Sequence, residues 1–274
     1  MSKSDLKTSL ILTIILTTLS VIAAAGGLLL NNLYGDNDFV KSAWSANDTV
    51  TLFVVVPLLL FSMILTEKGY HRWLFIWIGL VGYIFYNFAF YLFGAVFNKF
   101  FLIYAALFSL SAITLISMLS KLNIQQLAGK FSNRVPVRFV SFYLLLIAAI
   151  LLMVEMSMII PFITSGRIPE TIKLTEHPTS IVFALDLTII LPLSILAAIL
   201  LWRRRAWGYV WAIIMLVKGF TYGLVLCIGT IKLANAKTYG HLDPLMPFYA
   251  FLTIGGIFCC WLIMKSPEQK NLSS

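Results

Sequence analysis

Apolar residues fall into eight long blocks separated by short polar stretches: 8–30, 50–65, 73–93, 100–119, 137–163, 179–202, 207–231 and 244–264. A membrane-spanning helix needs about 20 such residues. In lipid, every backbone N–H and C=O must be satisfied within the protein. The pattern therefore predicts an all-α, polytopic transmembrane bundle of eight helices, with residues 1–274 as a single domain. The second block is short and is expected to borrow residues from its flanks.

Composition agrees with the pattern. Hydrophobic residues make up 60% of the chain and charged residues 11%, against about 25% charged in soluble domains. The net charge of +9 raises the question of nucleic acid, but the basic residues sit at the ends of the apolar blocks, as the positive-inside rule requires. No nucleic-acid partner is expected; the bilayer is. With the N-terminus inside, thirteen Lys and Arg fall on cytoplasmic segments and six outside, and Arg203-Arg204-Arg205 is the strongest single orientation signal. Both termini are expected in the cytoplasm. Block 8–30 exceeds the 7–15 apolar residues of a signal peptide, so it is read as a retained span even though Ala23-Ala24-Ala25-Gly26 resembles a cleavage site. The basic 120–136 loop is expected to form a short amphipathic helix on the membrane surface.

The halves 1–136 and 137–274 resemble one another. The stretch Pro57 to Leu65 matches Pro192 to Leu200, Trp73 and Trp77 match Trp207 and Trp211, and Tyr86 matches Tyr222. Four helices per half give both halves the same orientation, so the pattern predicts a parallel repeat.

Charges inside the spans cost at least about 2.5–3.5 kcal/mol each, and Glu155, Asp186 and Lys218 are such charges. At 1.5 Å per residue, Glu155 lies roughly 12 Å and Asp186 roughly 10 Å below the outer helix ends, with Lys218 roughly 8 Å deeper than Asp186. They are candidates for a solute, ion or proton site opening outward. The alternative is an Asp186–Lys218 ion pair that locks helices together. Thr221 and Tyr222 share the face of Lys218; Tyr83, Asn87 and Tyr91 form a second polar stripe with Tyr86 beside it. Tyr83 and Tyr91 are read as interhelical glue. Asn47-Asp48 is expected to cap the second span, with Asp48 adding negative potential at the cavity mouth. Asn47-Asp48-Thr49 is also a glycosylation sequon. Pro57, Pro161, Pro192 and Pro247 are expected to kink their helices.

No cofactor or metal is expected. Cys227, Cys259 and Cys260 lie in apolar runs without a CxxC, no histidine lies within a span, and Met153, Met156 and Met158 around Glu155 are read as gap-fillers. Enzyme signatures are absent.

Asn47-Asp48-Thr49-Val50-Thr51-Leu52 and Tyr86-Asn87-Phe88-Ala89-Phe90-Tyr91 resemble stretches of uncharacterised multi-pass bacterial membrane proteins. The resemblance implies a bacterial plasma membrane and carries no activity with it. The expected function is a small-solute or ion transporter, proton-coupled, with an outward polar cavity. The alternatives are a non-transporting sensor or accessory subunit, and a lipid-modifying membrane enzyme.

Overall fold

The computed structural model describes residues 3–124, 135–235 and 242–265. Within them, eight helices are long and apolar enough to cross a membrane. These are α1 (Lys3–Leu29), α2 (Asp38–Glu67), α3 (Trp73–Gly94), α4 (Phe101–Ser120), α5 (Val137–Ser165), α6 (Ile181–Trp202), α7 (Ala206–Asn235) and α8 (Met246–Lys265). A short helix, Glu170–Thr175, lies between α5 and α6. No strand occurs among the described residues. The protein is a multi-pass, all-α membrane bundle. Of the 120–136 stretch in which a surface helix is expected, residues 125–134 lie outside the described residues.

Side-chain ties identify the two faces of the bundle. Lys121 at the end of α4 meets Asp5 at the start of α1 at 3.2 Å, and Arg72 before α3 donates to the Met264 carbonyl at the end of α8, at 2.8 Å. The start of α1 and the end of α8 therefore share one face. At the opposite, distal face, Asn37 before α2 donates to the Leu174 carbonyl at 2.9 Å, and His177 lies 3.8 Å from Asp36. Large apolar side chains such as Ile11, Phe53, Ile116, Ile163 and Ile254 remain exposed around the girth. They form the surface that a bilayer would cover.

Helices α3 and α7 form the centre, and both are largely buried. They meet closely where Gly79 faces Val217: a Cβ at Gly79 would lie 2.9 Å from the valine side chain, so only glycine permits this separation. The start of α2 packs on α7, and the start of α6 packs on α3. Helix α4 lies against α3 and α8 against α7, while α1 and α5 pack on α2 and α6.

Two π turns interrupt this framework, Thr51–Val55 in α2 and Asp186–Ile190 in α6. Each is followed within two residues by proline, Pro57 or Pro192. Proline has no N–H and its ring collides with the carbonyl four residues earlier; a wider turn relieves both. Val56 N–H instead reaches the Thr51 carbonyl, and Leu191 N–H reaches that of Asp186. Pro161 sits inside α5. Pro247 is the second residue of α8, where a missing N–H costs nothing, so no kink is required there.

The first turns of α2 depart from expectation. Its N-cap is Asn37, whose side chain accepts from Val40 N–H at 3.0 Å. Asn47 and Asp48 therefore lie well inside the helix and cap nothing. Asn47 is buried and its amide donates to the Ala43 carbonyl at 3.0 Å, so the sequon is closed to glycosylation in the folded protein. Similarly, α7 continues past residue 231 to Asn235 and brings Lys232, assigned to an outer loop, into the bundle.

Candidate functional site

Asp186, Lys218, Tyr86 and Tyr222 are brought together where α3, α6 and α7 meet. The opening of the second π turn presents Asp186, which is 3% exposed. Tyr86 on α3 donates to its Oδ1 at 2.6 Å. Lys218 on α7 is 4% exposed. Its ammonium lies 3.7 Å from the centroid of Tyr86 and 3.5 Å from that of Tyr222. The two rings meet edge-on, with centroids 5.9 Å apart. A desolvated cation over an aromatic face gains about 2 kcal/mol, so this two-ring seat stabilises a charge that hydrocarbon would otherwise reject.

The direct Asp186–Lys218 ion pair is not formed. Among the described residues Lys218 meets no carboxylate at ion-pair distance. Tyr86 links the two instead, bonding the acid through its hydroxyl and holding the base on its ring. Tyr86→Phe should therefore remove one hydrogen bond to a charged group and keep the cation seat. The expected cost is about 1.5–3 kcal/mol, read as a fall in thermal midpoint of the protein in detergent.

The other candidates do not join this hydrogen-bonded assembly. Glu155 on α5 is 2% exposed, and neither carboxylate oxygen has a hydrogen-bond partner among the described residues. Thr221 turns back on its own helix, donating to the Val217 and Lys218 carbonyls at 2.7 and 3.1 Å, and takes no part in the site. Asn87 is buried, and its Nδ2 finds no partner among the described residues. Asp48 belongs to a second polar cluster. Its oxygens accept from Tyr34 at 2.7 Å and Tyr91 at 2.8 Å, and the rings of Trp44 and Tyr104 lie 4.6 and 5.2 Å from that of Tyr91. Burial, reinforced by the neighbouring Asp48 charge, pushes the Tyr34 phenol far above its usual pKa, so it remains a donor. Tyr83 shares a 3.0 Å hydrogen bond with Thr51.

Lys232, missed as a site residue, closes the near side of this second cluster. Its ammonium donates to Ser45 Oγ at 2.6 Å, Thr49 Oγ1 at 3.0 Å and the Ser45 carbonyl at 3.1 Å. A lysine at the end of an apolar run reads as the end of a span, and no sequence signal pointed to α2 as its partner.

Two cavities lead to the first cluster. The outer one, about 300 Å³, opens among Phe39, Phe90, Thr175, His177, Phe183 and Tyr249 at the distal face. The inner one, about 70 Å³, is lined by Asp186, Lys218, Ser194, Tyr143 and apolar neighbours. Tyr222 and Leu226 line both. A single layer of side chains thus separates the vestibule from the buried charges. An outer volume of this size is at the lower end of small-molecule sites, and the inner one is large enough for a few waters.

No family model matches the chain, and no curated protein or solved structure matches it.

Proposed function

We propose that the protein is a permease for a small, mostly apolar solute carrying few polar groups. The solute enters the distal vestibule and is sensed by Tyr222 and the Asp186–Tyr86–Lys218 assembly beneath it. The observation that carries this reading is the shared wall: Tyr222 and Leu226 line both the vestibule and the cavity holding the two buried charges. Charges kept in a membrane interior near a cavity mark solute and ion pathways. Phe39, Phe90, Phe183, Tyr222 and Tyr249 give the vestibule an aromatic wall, with Thr171, Thr175, Ser180 and Asp243 as polar points.

The π turns support the parallel-repeat reading. They fall at matching places, about 135 residues apart, each ahead of its proline, and such repeats are common among transporters. The basic residues gather on the face that carries the start of α1 and the end of α8, which supports a cytoplasmic assignment for that face and an outward vestibule. A bacterial plasma membrane accords with the sequence resemblance.

A non-transporting accessory subunit is the second reading. It is favoured by the small inner cavity and by Tyr86 satisfying Asp186 within the protein. Uptake separates the two. A solute panel is first screened for thermal stabilisation of the purified protein, and hits are then followed into proteoliposomes. A permease gives saturable uptake that Asp186→Asn lowers at least tenfold with the protein still folded. An accessory subunit gives none, and stabilisation by no solute in a broad panel would turn the reading against transport.

A further inference from the structure

Glu155 is a buried acid with neither carboxylate oxygen partnered among the described residues. Leu144, Ile147 and Leu151 of α5 line the inner cavity, and Glu155 continues that row one turn toward the distal face, four residues beyond Leu151. The groups near enough to interact with it electrostatically are Asp186 on α6, Tyr222 on α7 and Tyr86 on α3. Asp186, and the nearby Lys218 and Tyr249, are already engaged. Asp186 accepts from Tyr86, Lys218 is seated between the two rings, and Tyr249 donates to Asp243 at 3.0 Å. Tyr143 on α5 itself donates to the Leu252 carbonyl at 2.9 Å.

A bare carboxylate without donors is strongly disfavoured away from water. A bound metal ion would ask for several oxygen ligands, and the wall beside Glu155 is mostly apolar. A single proton satisfies the group with no further ligand. We propose that Glu155, one turn beyond the cavity-lining Leu151, is a proton-exchange site beside the inner cavity, with the Asp186 carboxyl as its charged neighbour. The step is simple: a hydronium ion that reaches Glu155 from the side of the cavity transfers its proton to Oε, forming an O–H bond and leaving water, and the reverse step releases it. This rests on the reading of the Asp186 cavity as a working site, and it supplies that permease with its coupling ion.

The test needs no solute. The full-length protein in lipid is followed by infrared difference spectroscopy as bulk pH is stepped, in H₂O and then in D₂O. A C=O band of a protonated carboxyl is expected; it should titrate with pH, shift down within minutes of exchange into D₂O, disappear in Glu155→Gln and survive in Asp186→Asn. Size-exclusion behaviour of Glu155→Gln confirms that the variant folds, and Glu155→Asp serves as a second variant that should retain a shifted band. Absence of the band, its persistence in Glu155→Gln, or a band that does not exchange in D₂O overturns the proposal. Solute uptake measured on the same variants keeps the readings apart. A permease whose uptake falls in Asp186→Asn, yet which lacks the band, loses the proton site and retains the transport reading.

Discussion

Replacing Lys218 by methionine is expected to destabilise the protein by about 3–5 kcal/mol, the usual cost of leaving a buried charge without its counterpart. Lys218 is the cation nearest Asp186 in the core, seated on Tyr86 and Tyr222, and Tyr86 holds the acid. Without it, Asp186 keeps one hydrogen bond and loses its compensating field. A fall of about 10 °C in thermal midpoint in detergent corresponds to that energy. Adding Asp186→Asn should recover a large part of the loss, because an amide needs no countercharge. The double-mutant cycle should give a coupling energy of about 1–3 kcal/mol. Simple additivity of the two losses would mean that the lysine matters only through its seat on the rings.

The second large effect is expected at Gly27. A methyl group there would overlap the Asp48 carboxylate and the Tyr34 hydroxyl. Neither can retreat freely, because Tyr34 and Tyr91 both donate to that carboxylate and Trp44 is wholly buried beside them. Overpacking costs about 1–3 kcal/mol, and loss of a hydrogen bond to a charged group about 1.5–3 kcal/mol more. Gly27→Ala is therefore expected to lose about 3–5 kcal/mol in denaturant or thermal titration. Gly229→Ala is the control: its new Cβ would lie 3.6 Å from the Ala46 side chain, an ordinary contact, and the helix gains up to about 1 kcal/mol in propensity. Equal losses in both variants would show that the polar cluster is not the cause.

All eight spans were legible because a bilayer imposes a length and a composition that few other constraints mimic. What escaped was every feature that depends on where a polar residue finds its partner. Residues 38–48 read as a loop because Asp38, Lys41, Ser42, Ser45, Asn47 and Asp48 dilute the apolar run. In the fold Asp48 and Asn47 are buried, and Ser45 meets Lys232, so none of these three needs lipid or water. Lys232 ended the seventh run for the same reason. Within the candidate site, helical spacing placed Tyr222 beside Lys218 correctly, yet it also enlisted Thr221, whose hydroxyl prefers its own backbone. The exchange of an ion pair for a tyrosine bridge was not legible, because side-chain reach depends on the π turn that sets the angle of Asp186. Proline announces that a helix must adjust. It does not say whether the adjustment is a kink or a widened turn.

The vestibule should reach Tyr222 and Leu226 from the face of the Glu170–Thr175 helix. Leu226→Cys, made with Cys227→Ala so that its neighbour stays silent, is exposed in intact cells to a small, membrane-impermeant thiol reagent. Cys259 and Cys260 are buried and should remain unreactive. Modification from outside is expected within minutes, with protection when a stabilising solute is present. A cysteine that reacts only after the membrane is opened, or not at all, would contradict it.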